Sequence, residues 1–140
     1  MKKSLVVAFV ALALCACKDD GAKISPQSLQ NQAFLIEKLD IGGKITAPPA
    51  QDEQPSLSFE SDRYNGFAAC NSFFGTFAIK GDKIRLNADI GATKMMCPPE
   101  VMGFEDDLLA NLYGEFALEM GDRGFILKSN KMKIYLVPKI

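Results

Sequence analysis

The sequence predicts a mainly β domain of the α+β kind, a small antiparallel barrel-like sheet of about eight strands with one packed helix. Three observations predict it. Short apolar runs alternate with polar residues and are punctuated by Gly, Asn, Asp and Pro along most of the chain. A long apolar repeat at helical spacing occurs once, after Pro98-Pro99. Two cysteines, Cys70 and Cys97, bracket a double turn-back in the middle of the chain, where a covalent tie would pin a small sheet.

The N-terminus reads as a secretion signal over residues 1–16. Lys2 and Lys3 supply its charge, and Leu5 to Leu14 is an apolar core too short to span a bilayer. Leu14-Cys15-Ala16-Cys17 resembles a bacterial lipobox, with small Ala16 before Cys17 as the lipid-attachment residue. An ordinary signal peptide that happens to contain cysteines is the alternative. Residues 17–30 are polar and read as a tether, with Ser25-Pro26 able to start one helical turn. The folded domain is expected over residues 31–140.

Phe34 to Leu39 reads as the first strand. Gly42-Gly43 turns it back through Lys44-Ile45-Thr46. Pro48 to Pro55 is a polar loop, and its Asp52 and Glu53 are candidate interaction residues. Leu57 and Phe59 alternate with polar neighbours as a half-buried strand, and Ser61-Asp62 turns the chain into Arg63 to Phe67. Thr76 to Ile79 and Lys83 to Leu86 pair across Gly81-Asp82, and a further strand is expected over Ile90 to Met96. Gly66 and Gly75 suggest bulges or tight bends. Asn71 suits positive φ or a bond to neighbouring backbone.

Pro98-Pro99 opens the helix. Val101, Phe104, Leu108 and Leu112 form its apolar face, while Glu105, Asp106 and Asp107 read as a solvated acidic side. Gly114 ends it. Phe116 to Met120, Phe125 to Lys128 and Met132 to Val137 complete the sheet, joined by turns at Gly121–Gly124 and Ser129-Asn130.

Composition excludes several functions. The chain contains no His, which removes Ser-His-Asp and Cys-His catalysis and every His-containing metal site. No catalytic residue, metal or cofactor is expected. A formal charge of −1 argues against a general nucleic-acid binder. Cleavage before Cys17 removes Lys2 and Lys3 from the 16 basic residues, leaving 14 against 17 acidic ones. It also discards Cys15. With Cys17 lipidated, Cys70 and Cys97 remain in an oxidising periplasm and are expected to form a disulfide; two buried free thiols are the alternative.

Tyr64-Asn65-Gly66-Phe67-Ala68-Ala69-Cys70-Asn71-Ser72-Phe73-Phe74-Gly75 resembles the glycine-rich Cys-Asn motif of the META domain family. Ala92-Thr93-Lys94-Met95-Met96-Cys97 resembles its second motif. The chain departs from the pattern at Ala69, where the family often has Gly. With the lipobox, Pro26-Gln27-Ser28-Leu29 and Phe34-Leu35-Ile36-Glu37, the resemblance extends to the HslJ-like, heat-shock-associated lipoproteins of that family. It implies a barrel-like sheet with a packed helix, and an envelope lipoprotein linked to heat stress and novobiocin resistance. It supplies no catalytic residue. The expected partners are a membrane, through acylated Cys17, and an envelope protein or hydrophobic ligand. Lys94, Met95 and Met96 are candidate contacts, although packing in the core is the expected role of the two methionines. A lipoprotein inhibitor of an envelope hydrolase and a pilotin-like secretion chaperone are the alternatives. The protein is expected to be a monomer at the periplasmic side of the outer membrane, because Lys18 rather than the inner-membrane retention residue Asp follows Cys17; the inner membrane is the alternative.

Overall fold

A computed structural model of the chain describes residues 23–140. The expected signal segment and Cys17 lie outside the described residues. The elements, in order, are a 3-10 turn Pro26–Leu29, β1 Gln32–Ile41, β2 Lys44–Thr46, β3 Ser56–Glu60, β4 Arg63–Phe67, β5 Ser72–Lys80, β6 Lys83–Leu86, β7 Gly91–Ala92, α1 Pro99–Asn111, β8 Gly114–Met120, β9 Phe125–Lys128 and β10 Met132–Pro138.

Eight of these strands close into an antiparallel barrel. Its order is β1-β3-β4-β5-β6-β8-β9-β10, and β10 pairs back onto β1 from Phe34↔Pro138 to Ile41↔Met132. Among the described residues, closure pairs both edges of the eight-stranded sheet with each other. Period-two alternation decides which side chains fill the interior. In β5, Phe73, Gly75 and Phe77 point inward while Phe74, Thr76 and Ala78 face out. Phe34, Ile36, Leu57, Phe59, Ile84, Phe116, Leu127 and Ile134 join them in one core. Gly42 and Gly43 take φ of 61° and 90°, as a two-residue hairpin loop requires.

The helix adds Phe104 and Leu108 to that core, Leu112 just after its end joins them, and Val101 is only partly buried against it. Gly114, where β8 begins, pairs with Leu86 at the end of β6. Glu105 bonds to the β4–β5 connection at that same end. The helix thus lies across one mouth of the barrel.

Three expectations change. Packing begins before residue 31: Ile24 N–H donates to the Leu118 carbonyl, and Pro26 and Leu29 are buried. The strand expected over Ile90–Met96 shrinks to Gly91–Ala92, because side chains rather than a strand bind the backbone that follows. Gly66 and Gly75 sit in an unbroken β4–β5 ladder and mark close approach, not bulges. A Cβ on Gly75 would strike the phenol end of Tyr64, and one on Gly66 would strike Phe73 and the Ser56 carbonyl. The β1–β10 register instead shifts between Ile36 and Lys38, where Ile36 N–H turns to the Pro55 carbonyl.

Candidate functional site

The two motifs meet at the barrel mouth covered by α1. Between β4 and β5 the chain makes a tight turn through Ala68, Ala69, Cys70 and Asn71, all buried. Ala68 N–H donates to the Asn71 carbonyl at 2.8 Å and closes it. Ala69 takes φ of 121°, a region that favours glycine. The positive φ falls here and not on Asn71, at the position where the chain carries Ala instead of Gly.

Asn71 is 2% exposed and uses every polar atom it has. Its backbone N–H donates to Glu105 Oε2 at 2.7 Å. Its Nδ2 donates to Glu105 Oε1 at 2.6 Å and to the Met95 carbonyl at 3.1 Å. Its Oδ1 accepts from Met95 N–H at 2.6 Å and from Thr93 Oγ1 at 3.0 Å. One amide side chain thus pairs with both backbone groups of Met95, as a neighbouring strand would. The bonded backbone lies 24 residues away, not next door.

Glu105 overturns the expectation of a solvated acidic side on α1. It is 3% exposed, and its Oε2 also accepts from Cys70 N–H at 2.9 Å. Buried carboxylates need compensation, and here three N–H donors supply it in place of a cation. Asp106 is exposed and Asp107 half-buried, so only Glu105 leaves the acidic group. The signal was legible. Glu105 lies four residues after Val101 and three before Leu108, inside the apolar stripe of the helix.

Cys70 and Cys97 form a disulfide with Cα atoms 6.0 Å apart. It ties the tight turn to the start of α1. Between Thr93 and Cys97 the backbone is therefore held by Ser72, Asn71 and the disulfide, while its side chains face outward. Met95 and Met96 are 59% and 87% exposed, and Lys94 is exposed with no ion-pair partner among the described residues. The expectation that the methionines pack in the core is corrected: their backbone is bound inward, which turns their side chains to solvent.

Asp52 and Glu53 are also exposed, on the Pro48–Pro55 loop. Gln51 Nε2 bonds the Glu53 and Ala69 carbonyls, both at 2.8 Å. Both candidate surfaces are thus fastened to the same Ala69–Asn71 turn from different sides. No nucleophile–base pair is formed by any of these residues.

Tyr64, the first residue of the first motif, is fully buried beside Gly75. Burial pushes its phenol up to about 12, because the charged phenolate is poorly solvated there.

The META domain profile matches residues 27–138. The chain belongs to the META domain family. An NMR structure of a protein from Burkholderia xenovorans is similar to this META domain with a TM-score of 0.67 and 19% identity, covering 87% of this chain and 97% of that one. A second NMR structure is similar with a TM-score of 0.62 and 20% identity, covering 81% and 94%. At that identity the likeness concerns the fold alone. No curated protein matches the chain.

Proposed function

We propose that this META domain is a non-enzymatic lipoprotein of the bacterial envelope that binds a protein segment or a hydrophobic ligand through Lys94, Met95 and Met96. The observation that carries the reading is the exposure of two adjacent methionines on a backbone that Asn71, Thr93 and the disulfide hold still. Methionine is flexible and polarizable, so a pair of them on a fixed frame suits an adaptable apolar contact. Cys17 would carry the lipid and hold the domain at the periplasmic side of the outer membrane. The HslJ-like resemblance supports a role in heat stress and novobiocin resistance.

Inhibition of an envelope hydrolase is the second reading. It is favoured by the Asp52-Glu53 loop, which Gln51 pins to Ala69 so that two carboxylates protrude from an ordered tip.

Photo-cross-linking groups at positions 52 and 96, introduced in living cells under heat stress, separate the two. Binding through the methionines gives adducts from position 96, and Met95→Ser with Met96→Ser lowers novobiocin tolerance at unchanged thermal stability. Adducts from position 52 alone move the function to the carboxylate loop. Full tolerance in the double serine variant defeats the first reading.

A further inference from the structure

The outer face of the barrel opposite in charge to the rest of the chain is made by β6, β8, β9 and β10. An open groove of about 730 Å³ runs over it. Four lysines, Lys23, Lys83, Lys128 and Lys131, line it against two carboxylates, Glu115 and Glu119. This is a local excess of positive charge in a chain whose 16 basic residues are outnumbered by 17 acidic ones.

The strand register arranges the charge further. Lys83 sits opposite Ala117, Ala117 opposite Lys128, and Lys128 opposite Lys133, so one row across four strands reads Lys-Ala-Lys-Lys. Like charges directly opposite on neighbouring strands are destabilising. Only Lys128 has an ion-pair partner among the described residues, Glu119 at 3.9 Å. At the end of the groove Tyr113 is partly exposed, with Lys131 Nζ 4.3 Å from its ring centre. Tyr rings are favoured at the headgroup level of a bilayer, and a cation is attracted to the face of such a ring.

The chain enters the barrel at this same groove. Lys23 pairs with Glu119 of β8 through an isolated backbone β-bridge and lines the groove. Five residues lie between Cys17 and Lys23, so the six steps of chain from one to the other reach at most about 22 Å when fully extended. A domain of this size is roughly 35 Å across. An acyl anchor at Cys17 therefore keeps the Lys-rich face near the bilayer and the opposite side away from it.

We propose that this face docks on the anionic headgroups of the membrane, with Lys23, Lys83, Lys128, Lys131 and Lys133 contacting lipid phosphates. The inference rests on the reading that Cys17 carries lipid. Docking orients the barrel and gives the membrane a second hold beyond the acyl chains. Each lysine near an anionic surface strengthens attraction about fivefold, and salt screens it.

The test uses the mature chain from residue 17 with Cys17→Ser, so that Lys18, Asp19 and Asp20 stay in place and no lipid does the binding. Sedimentation with vesicles of phosphatidylcholine containing 30% phosphatidylglycerol should retain the chain at low salt and release it at high salt. Pure phosphatidylcholine should not retain it. Lys83→Gln, Lys128→Gln, Lys131→Gln and Lys133→Gln together should weaken binding several-hundred-fold, while Arg63→Gln on β4 should change it by no more than a single charge would. If the fourfold variant unfolds, Lys128→Gln with Lys133→Gln alone should weaken binding about 25-fold. Equal binding to neutral and anionic vesicles, or undiminished binding by the lysine variants, overturns the proposal. Saturable binding of inorganic phosphate at these lysines without vesicle binding also overturns it, and assigns the groove to a free anion. Mass spectrometry of the mature N-terminus tests the anchor separately, so a missing acyl group and a missing docking face are told apart.

Discussion

Replacing Glu105 tests whether one buried carboxylate holds the two motifs together. Glu105→Ala removes the acceptor of two backbone donors, Cys70 N–H and Asn71 N–H. Asn71 Nδ2 loses one acceptor but keeps the Met95 carbonyl. A buried donor left without a partner costs about 1–3 kcal/mol, so two of them cost about 2–6 kcal/mol. That is a large share of the 5–15 kcal/mol typical of a whole domain. Glu105→Gln retains one carbonyl oxygen. Seated where Oε2 lies, it satisfies both backbone donors and turns an amide N–H₂ against Asn71 Nδ2, for a smaller loss of about 1–3 kcal/mol. Denaturant midpoints with the disulfide intact give both values. Amide exchange at Cys70 and Asn71 reports the local opening directly. A loss below about 1 kcal/mol for Glu105→Ala, or equal losses for Ala and Gln, would refute the assignment.

Four further outcomes follow from the geometry. Phe104→Ala should lower stability by about 3–5 kcal/mol, since its ring is buried between helix and barrel; a shift below about 1 kcal/mol in urea would make the helix peripheral. Reducing Cys70–Cys97 should remove about 3–4 kcal/mol by freeing a loop of 27 residues' separation, without loss of far-ultraviolet β signal; an unchanged midpoint would contradict this. Ala69→Gly should cost less than Ala68→Gly, because both lose a buried methyl but only position 69 has φ of 121°; paired thermal melts decide the order. The Tyr64 phenol, pushed up to about 12 in the fold, retains its proton where the unfolded phenol loses it, so stability should fall between about pH 10 and pH 12 by up to about 1.4 kcal/mol per unit; Tyr64→Phe should flatten that fall in pH-dependent unfolding.

Much of the fold is legible because its causes are local. Alternating apolar positions give β3, β5 and β10, Gly42-Gly43 gives a hairpin, and Pro98-Pro99 marks the helix start. The Cys70–Cys97 disulfide is expected from the count of cysteines, which is also written in the chain itself. What escapes is set by contacts between distant residues. Nothing near Met95 announces that the Asn71 side chain will stand in for a strand. Glu105 looks like its acidic neighbours until its place in the apolar stripe is weighed against its charge. Gly66 and Gly75 make room for rings and a carbonyl on facing strands, and the local sequence does not distinguish this from a bulge. Lys83, Lys128 and Lys133 become one row only through the register of four strands.

Barrel closure has a consequence for how the chain acquires its structure. The ladder that seals the barrel joins β1 to β10, near opposite ends of the sequence. A chain made or delivered N-terminus first therefore carries an unsealed sheet until its final residues arrive, with β1 and β9 each offering a free edge. Such edges pair readily with other chains. The interval before the last strand arrives, more than the finished barrel, is when a crowded or overheated compartment threatens this protein. Residues 132–138, although far from either motif, decide when that interval ends.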